Sequence, residues 1–259
     1  QRDVLPAFSG GHEVSVAILG AGVMGETLLS GLLRAGRRAE DLLISERRTE
    51  RSKELEERYG VDVVDNPTAA RRADTLALVV KPQDMGALLG EIADHVRPGQ
   101  LVVRVMPNTP ALVDEGMAAI SAGSRCDEGH LHEAEQLLRA TGRVLRVPEK
   151  QQDAVTAISG TGPAYVFFVV EAMIEAGVHL GLPRATATEL VVQTVVGSAK
   201  LLRETGEHPT VLRERVTSPA GTTAAALRLL EEGKVRADFL AAIEAARDRS
   251  RALAAAGDE

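Results

Sequence analysis

The 259-residue chain has one cysteine, no tryptophan, two tyrosines and four phenylalanines, so aromatic residues make up only 2% of it. Base-stacking platforms and aromatic cages need more than that, and the core must be built from aliphatic side chains. A lone Cys126 excludes an intramolecular disulfide and fits a reducing compartment. The six histidines fall at no metal-ligand spacing, and with a single cysteine no zinc site can be assembled. No Ser-His-acid set can be placed, so the chemistry is not expected to rest on a histidine acid or base. Basic charge is also short. Lys+Arg 30 against Asp+Glu 37 leaves a net charge of -7, the wrong sign for a general nucleic-acid binder. Contiguous apolar runs such as 165–170 stop well below the roughly 20 residues of a membrane helix, so no bilayer span is expected. Residues 1–13 show no basic segment followed by an apolar one and read as a tail or processing remnant. A cytoplasmic protein is the default expectation.

What is present is aliphatic, with 44% hydrophobic residues, enough to bury a core. Val14-Ser15-Val16-Ala17-Ile18-Leu19 stops at glycine, and Met24, Leu28, Leu29, Leu32 and Leu33 follow at helical spacing. That reads strand, tight turn, helix. Strands over 41–44, 61–64 and 75–80 alternate with helices over 52–59 and from Asn66-Pro67. Nearly wholly apolar strands in such alternation predict a parallel sheet covered on both faces. Shorter strands are expected over 101–103, 105–106, 117–121 and 142–147, with a helix over 128–140. Beyond Pro148 the pattern turns helical over 150–158, 164–180, 184–202, 210–216, 222–231 and 235–256. The expected fold is α/β, with a Rossmann-type dinucleotide-binding domain over 14–149 followed by an all-helical domain over 150–259.

Gly20-Ala21-Gly22-Val23-Met24-Gly25 is G-x-G-x-x-G between a strand and a helix. The first glycine permits the turn, the second lets backbone N–H groups reach a pyrophosphate, and the third allows close helix–strand packing. At the end of the second strand, where a site for NAD usually carries an acid, stands Ser45, followed by Glu46-Arg47-Arg48. A hydroxyl and two guanidinium groups suit a 2′-phosphate, which favours NADP, although Arg47 and Arg48 also read as a solvated loop. Lys81-Pro82 and Asn108, in Met106-Pro107-Asn108-Thr109-Pro110, follow strands at the edge where open α/β sheets bind ligands. A solvated lysine and a plain turn are the simpler alternatives. Two stretches rich in small and hydroxyl residues, 159–165 and 216–223, read either as carboxylate receptors at helix starts or as ordinary helix caps.

Together, the glycine motif, Val80-Lys81-Pro82, Met106-Pro107-Asn108-Thr109-Pro110, Ser159-Gly160-Thr161-Gly162-Pro163-Ala164-Tyr165 and Val216-Thr217-Ser218-Pro219-Ala220-Gly221-Thr222-Thr223 make the chain resemble the pyrroline-5-carboxylate reductases. The resemblance implies reduction of 1-pyrroline-5-carboxylate to L-proline by NADPH or NADH in a homodimer or higher homo-oligomer. It implies that Gly20, Ala21, Gly22, Val23, Met24 and Gly25 hold the pyrophosphate, Ser45 and Arg47 the adenosine ribose, and Asn66 the adenine side. Val80, Lys81 and Pro82 would lie along the middle of the cofactor, with Asn108 facing the nicotinamide. Ser218, Gly221, Thr222 and Thr223 would hold the substrate carboxylate, with Thr223 near the imine nitrogen; Ser218 and Thr223 are the catalytic candidates. A related imine or β-hydroxyacid reductase, with Tyr165 as its acid, and a non-catalytic NADP-sensing protein are the alternatives. Where the family commonly has Pro-Gly-Gly, this chain has Pro219-Ala220-Gly221, and Ala220 keeps the loop unstrained only at negative φ.

Leu101-Val102-Val103 reads as one strand and Arg104-Val105-Met106 as the start of the next. Parallel neighbours need a crossover of a dozen or more residues. The sequence therefore predicts that about 20 residues, a normal crossover length, are wanting between Val103 and Arg104. The expectation is that they were left out of the sequence; the alternative is a true deletion, which would remove one wall of the nicotinamide pocket that the resemblance implies.

Overall fold

The computed structural model describes residues 15–80, 82–123 and 126–256. The expected tail and Lys81 lie outside the described residues.

Packing divides the chain into two compact units, one comprising 1–161 with 246–259 and the other 162–245. That division falls twelve residues beyond the change of composition at 149.

The first unit is built on β1 (Val16–Leu19), β2 (Leu42–Ser45), β3 (Asp62–Val63), β4 (Thr75–Leu78) and β5 (Leu101–Arg104), all parallel in the order β3-β2-β1-β4-β5. Every residue of β1, β2 and β4 is buried, which is why these strands read as unbroken apolar runs. Helices α1 (Val23–Arg34), α2 (Thr49–Tyr59), α3 (Asn66–Arg72) and α4 (Pro82–Ile92) make the crossovers. Two aliphatic clusters cover the sheet, one through Ile18, Leu29 and Ile44, the other through Leu19, Leu76 and Ile92. A separate parallel pair, β6 (Gly116–Ile120) and β7 (Gly142–Arg146), is joined by α5 (Glu128–Leu138).

Arg104 closes β5 rather than opening a new strand, a correction to the sequence reading. Pairing runs without break from Thr75 opposite Leu101 to Leu78 opposite Arg104, and the Val105 N–H continues the ladder by donating to Leu78 O at 2.9 Å. No crossover is needed because no sixth strand lies beside β5 among the described residues. A cavity of about 180 Å³ stands there instead, lined by Val102 and Arg104 of β5, Ala119 and Ile120 of β6, and Leu131 and Ala134 of α5. The outer edge of β6 is only partly satisfied. Val147 N–H donates to Ile120 O within the β6–β7 pair, whereas the Met117 N–H points the other way and donates to the Asn108 side chain at 2.8 Å. By the alternation of a parallel ladder, Ala119 therefore turns its backbone N–H and C=O toward the cavity.

After β7 the chain becomes helical. The sequence reading treats 159–165 as an interruption, and the structure corrects this. α6 (Gln152–Val155) runs into a π turn over Thr156–Gly160, where Thr161 N–H donates five residues back to Thr156 O, and then into α7 (Gly162–His179). Small residues widen the helix here instead of ending it; such π turns concentrate at functional sites.

The second unit contains α7, α8 (Arg184–Thr205), α9 (Pro209–Arg215), α10 (Thr222–Glu232) and the start of α11 (Val235–Ala256). α7 packs on α8 closely enough that a Cβ on Gly177 would lie 2.9 Å from Ala187 Cβ. Among the described residues of this unit only Ala187 and Val191 are buried. Phe167, Phe168, Leu190, Val192, Val196, Leu229 and Leu240 are exposed. The helical run Glu149–His179 is long and apolar enough, by length and composition, to cross a membrane, with 6% of its most apolar window buried. Its contiguous apolar stretch 165–170 is short, because Ser159-Gly160-Thr161-Gly162-Pro163 precedes it and Glu171 and Glu175 follow.

Candidate functional site

The glycine turn joins β1 to α1. Gly20 has φ +100°, and a Cβ there would meet Val80 Cγ1 at 2.7 Å and Val79 O at 2.9 Å. A Cβ on Gly25 would lie 2.2 Å from Gly20 O, so this glycine sets the closeness of helix to strand. Gly22 is different, since a Cβ there would meet nothing within 4 Å. It is the N-cap of α1, has extended backbone, and no side chain caps the helix. The amides of Gly20 and Ala21 donate to Ser45 O at 3.2 and 3.0 Å. The first-turn amides that follow, at Val23 and Met24, have no helical acceptor. An open turn ending in uncapped N–H groups at the positive end of a helix suits a pyrophosphate. Beside it, Glu26 is held below the usual carboxylate range: burial pushes it up, but hydrogen bonds from Tyr59 and Arg51 and the charges of Arg51 and Arg58 outweigh that.

At the end of β2 the structure gathers Ser45, Arg47 and Asn66. Ser45 Oγ donates to Asn66 Oδ1 at 2.6 Å, and both residues are buried. Arg48 closes on Glu46 through Nε at 3.0 Å and Nη2 at 3.1 Å. That guanidinium holds the Glu46 carboxyl below the usual range, which leaves Arg47 as the guanidinium lining the adjacent cavity with Gly20, Ser45, Asn66 and Val80. Arg47 Nη2 and Asn66 Nδ2 both donate to Glu91, at 2.5 and 2.6 Å. Sequence reasoning missed Glu91. The available signal was its spacing from Asp84 and Leu88, which at i, i+4 and i+7 share one face of α4.

Asn108 is buried, and both of its polar atoms have protein partners: Nδ2 donates to Ser159 O at 3.0 Å and Oδ1 accepts from Met117 N–H at 2.8 Å. It staples the turn after β5 to β6 and to the π turn. The Tyr165 hydroxyl is buried with no hydrogen-bond partner among the described residues.

The 216–223 segment lies in the second unit. Gly221 is the N-cap of α10, with no capping side chain, and its N–H donates to Ser218 O at 3.0 Å. The hydroxyls of Ser218, Thr222 and Thr223 have no partner among the described residues. Ordinary capping therefore does not explain them. A Cβ on Gly221 would meet Ser218 Oγ at 2.3 Å. Ala220 has φ +58°, so the condition for an unstrained loop is not met. The turn geometry that glycine commonly supplies is retained, and alanine bears the cost of the left-handed region. Ala220→Gly is expected to raise the melting temperature by about 1–3 °C, the difference between relief of that strain and the entropy glycine adds to the unfolded chain. A fall in calorimetric melting temperature would show the turn to be relaxed.

Comparison with known proteins covers nearly the whole chain. A family model described as pyrroline-5-carboxylate reductase dimerisation matches residues 149–253, and one described as NADP oxidoreductase coenzyme F420-dependent matches residues 15–108. The pyrroline-5-carboxylate reductase of Corynebacterium melassecola is 43% identical over 92% of this chain and 98% of its own length. That of Mycobacterium tuberculosis is 40% identical over 92% and 96%. Among solved structures, the Plasmodium falciparum pyrroline carboxylate reductase with NADP bound gives a TM-score of 0.83 at 28% identity, covering 95% of this chain and 100% of the other. The pyrroline-5-carboxylate reductase of Coxiella burnetii gives 0.82 at 32% identity, covering 93% and 98%. The Corynebacterium alignment runs over 265 positions yet spans 92% of this chain, about 238 of its 259 residues. About 27 positions of that alignment therefore face no residue here.

Proposed function

The chain belongs to the pyrroline-5-carboxylate reductase family, and from that premise we propose that it reduces 1-pyrroline-5-carboxylate to L-proline, the last step of proline biosynthesis, with NADPH ahead of NADH. The observation that carries this reading is the uncapped start of α10, where Ser218, Thr222 and Thr223 bring hydroxyls that have no partner among the described residues. Such a helix start suits the carboxylate of a small cyclic imino acid. Bound nicotinamide supplies a hydride to the imine carbon. A protonated imine is already electrophilic, so the chain has to hold the carboxylate, exclude water and orient the ring. Thr223 orients the ring nitrogen, since an unperturbed hydroxyl is a poor acid. We assign the glycine turn to the pyrophosphate, Ser45, Arg47 and Asn66 to the adenosine end, Val80, Lys81 and Pro82 to the middle of the cofactor, and Asn108 to holding the loop beside the nicotinamide. The active form is a homodimer formed through 150–259, in the cytoplasm.

Oxidation of NADPH in the presence of pyrroline-5-carboxylate, followed at 340 nm, tests the activity. Turnover with another imine or a β-hydroxyacid, and none with this one, sinks it. One observation favours a second reading. The cavity between β5 and β6 and the 27 unmatched positions fit a chain that has truly lost a strand and its crossover. Cofactor binding without turnover on any imine would then mark a non-catalytic NADP-binding protein. On cofactor choice, Arg47→Ala is expected to raise the NADPH Michaelis constant about 10-fold, the scale of one charge-assisted contact, with little change for NADH. An unchanged ratio of the two constants would remove Arg47 from the phosphate site.

A further inference from the structure

The adenosine end of the site already holds a carboxylate. Glu91, near the end of α4, accepts from Arg47 Nη2 at 2.5 Å and from Asn66 Nδ2 at 2.6 Å, and Asn66 is itself fixed by Ser45 Oγ at 2.6 Å. These are the groups assigned above to the adenosine ribose and its 2′-phosphate. We infer that Glu91 is an internal stand-in for that phosphate, seated on Arg47 and Asn66 until the cofactor displaces it, and that it sets the preference between NADPH and NADH. The inference rests on the NADPH reading proposed above.

Carboxylate and phosphate monoester offer a guanidinium the same kind of acceptor pair, so one can replace the other on Arg47. The Arg47 and Glu91 side chains are 68% and 42% exposed. An ion pair this open contributes little stability and exchanges readily. Its effect on an incoming dianion is larger, because the displaced carboxylate stays within a few ångströms and its repulsion is only partly screened. Asp84, on the same face of α4, lines the cavity and adds to the negative field, whereas Glu46 is neutralised by Arg48. A dinucleotide with a free 2′-hydroxyl meets the opposite situation, since a carboxylate there accepts from ribose hydroxyls. Glu91 thus works against NADPH and for NADH, and Arg47 works the other way.

The test uses ligands that bind without turnover. The full chain is titrated calorimetrically with adenosine 2′,5′-bisphosphate and with AMP, as wild type, Glu91→Gln and Arg47→Ala. Glu91→Gln is expected to tighten the bisphosphate about 5- to 20-fold, the scale of removing one like charge at short range near a surface, and to leave AMP equal or weaker. Glu91→Ala should act in the same direction. Bisphosphate affinity unchanged or weakened in both variants overturns the inference, because Glu91 would then only be propping Arg47. The underlying NADPH reading fails separately, if Arg47→Ala leaves the bisphosphate-to-AMP ratio where it was.

Discussion

Val196→Glu is expected to break the oligomer and, with it, activity. α8 has two apolar faces. Ala187 and Val191, four residues apart, are buried on the α7 side, while Val192 and Val196, also four apart, are exposed, Val196 to 54%. One stripe covers one neighbour, so a second stripe needs a second surface. α7, with no buried residue, adds Phe167 and Phe168 to the exposed apolar surface, the latter 72% exposed. Each such side chain is worth about 1.5–3 kcal/mol when fully buried, and helices this bare are unlike the core of any monomer. A glutamate in that surface enters twice, once from each copy of a twofold dimer, and neither charge finds a partner. Sedimentation should give the wild type at twice the chain mass or a higher multiple at micromolar concentration, and the variant as a monomer or as unfolded chain. We expect kcat/KM to fall at least about 100-fold, since obligate dimers often lack a stable folded monomer. A compact, active wild-type monomer would mean that these faces are covered in some other way.

The parts legible in the sequence were those governed by periodicity. β1, β2 and β4 are buried along their whole length, and short apolar runs such as Val16-Ala17-Ile18-Leu19, bounded by turn residues, read as buried strands. The glycine turn was legible because its requirements are steric: Gly20 and Gly25 admit no Cβ. β5 was misread because an apolar run carries no mark of which strand it belongs to, and only pairing with Thr75–Leu78 shows that Arg104 ends it. The π turn at 156–160 was invisible for a related reason, since glycine and serine in a helix look like a break until the i to i+5 hydrogen bond is seen. Ala220 was framed correctly as a question of φ, and only coordinates could answer it. Glu91 was missed because its partners, Arg47 and Asn66, lie 44 and 25 residues away in the chain, and the only local signal was its spacing from Asp84 and Leu88 on α4.

Thr223→Ala is expected to lower kcat/KM about 10- to 100-fold, the scale of losing one hydrogen bond to a charged group, while cofactor affinity stays unchanged. The argument starts from what the residue does not do. Gly221 holds the N-cap position of α10, and among the described residues no side chain caps that helix and the Thr223 hydroxyl has no partner. The residue is only half-buried, so removing its hydroxyl leaves no orphaned group inside the protein and should cost the fold little. A residue in the first turn of a helix also sits where the backbone partial charge attracts a carboxylate. On the reading proposed above, its hydroxyl would meet the ring nitrogen of the bound imino acid, and one hydrogen bond there would set which face of the ring meets the hydride. Thr223→Ser keeps that oxygen and should recover most of the rate, whereas a structural role for the methyl group would make serine behave like alanine. Equal kcat/KM in wild type and Thr223→Ala, with NADPH binding intact by fluorescence titration, would show that the hydroxyl takes no part in placing the substrate.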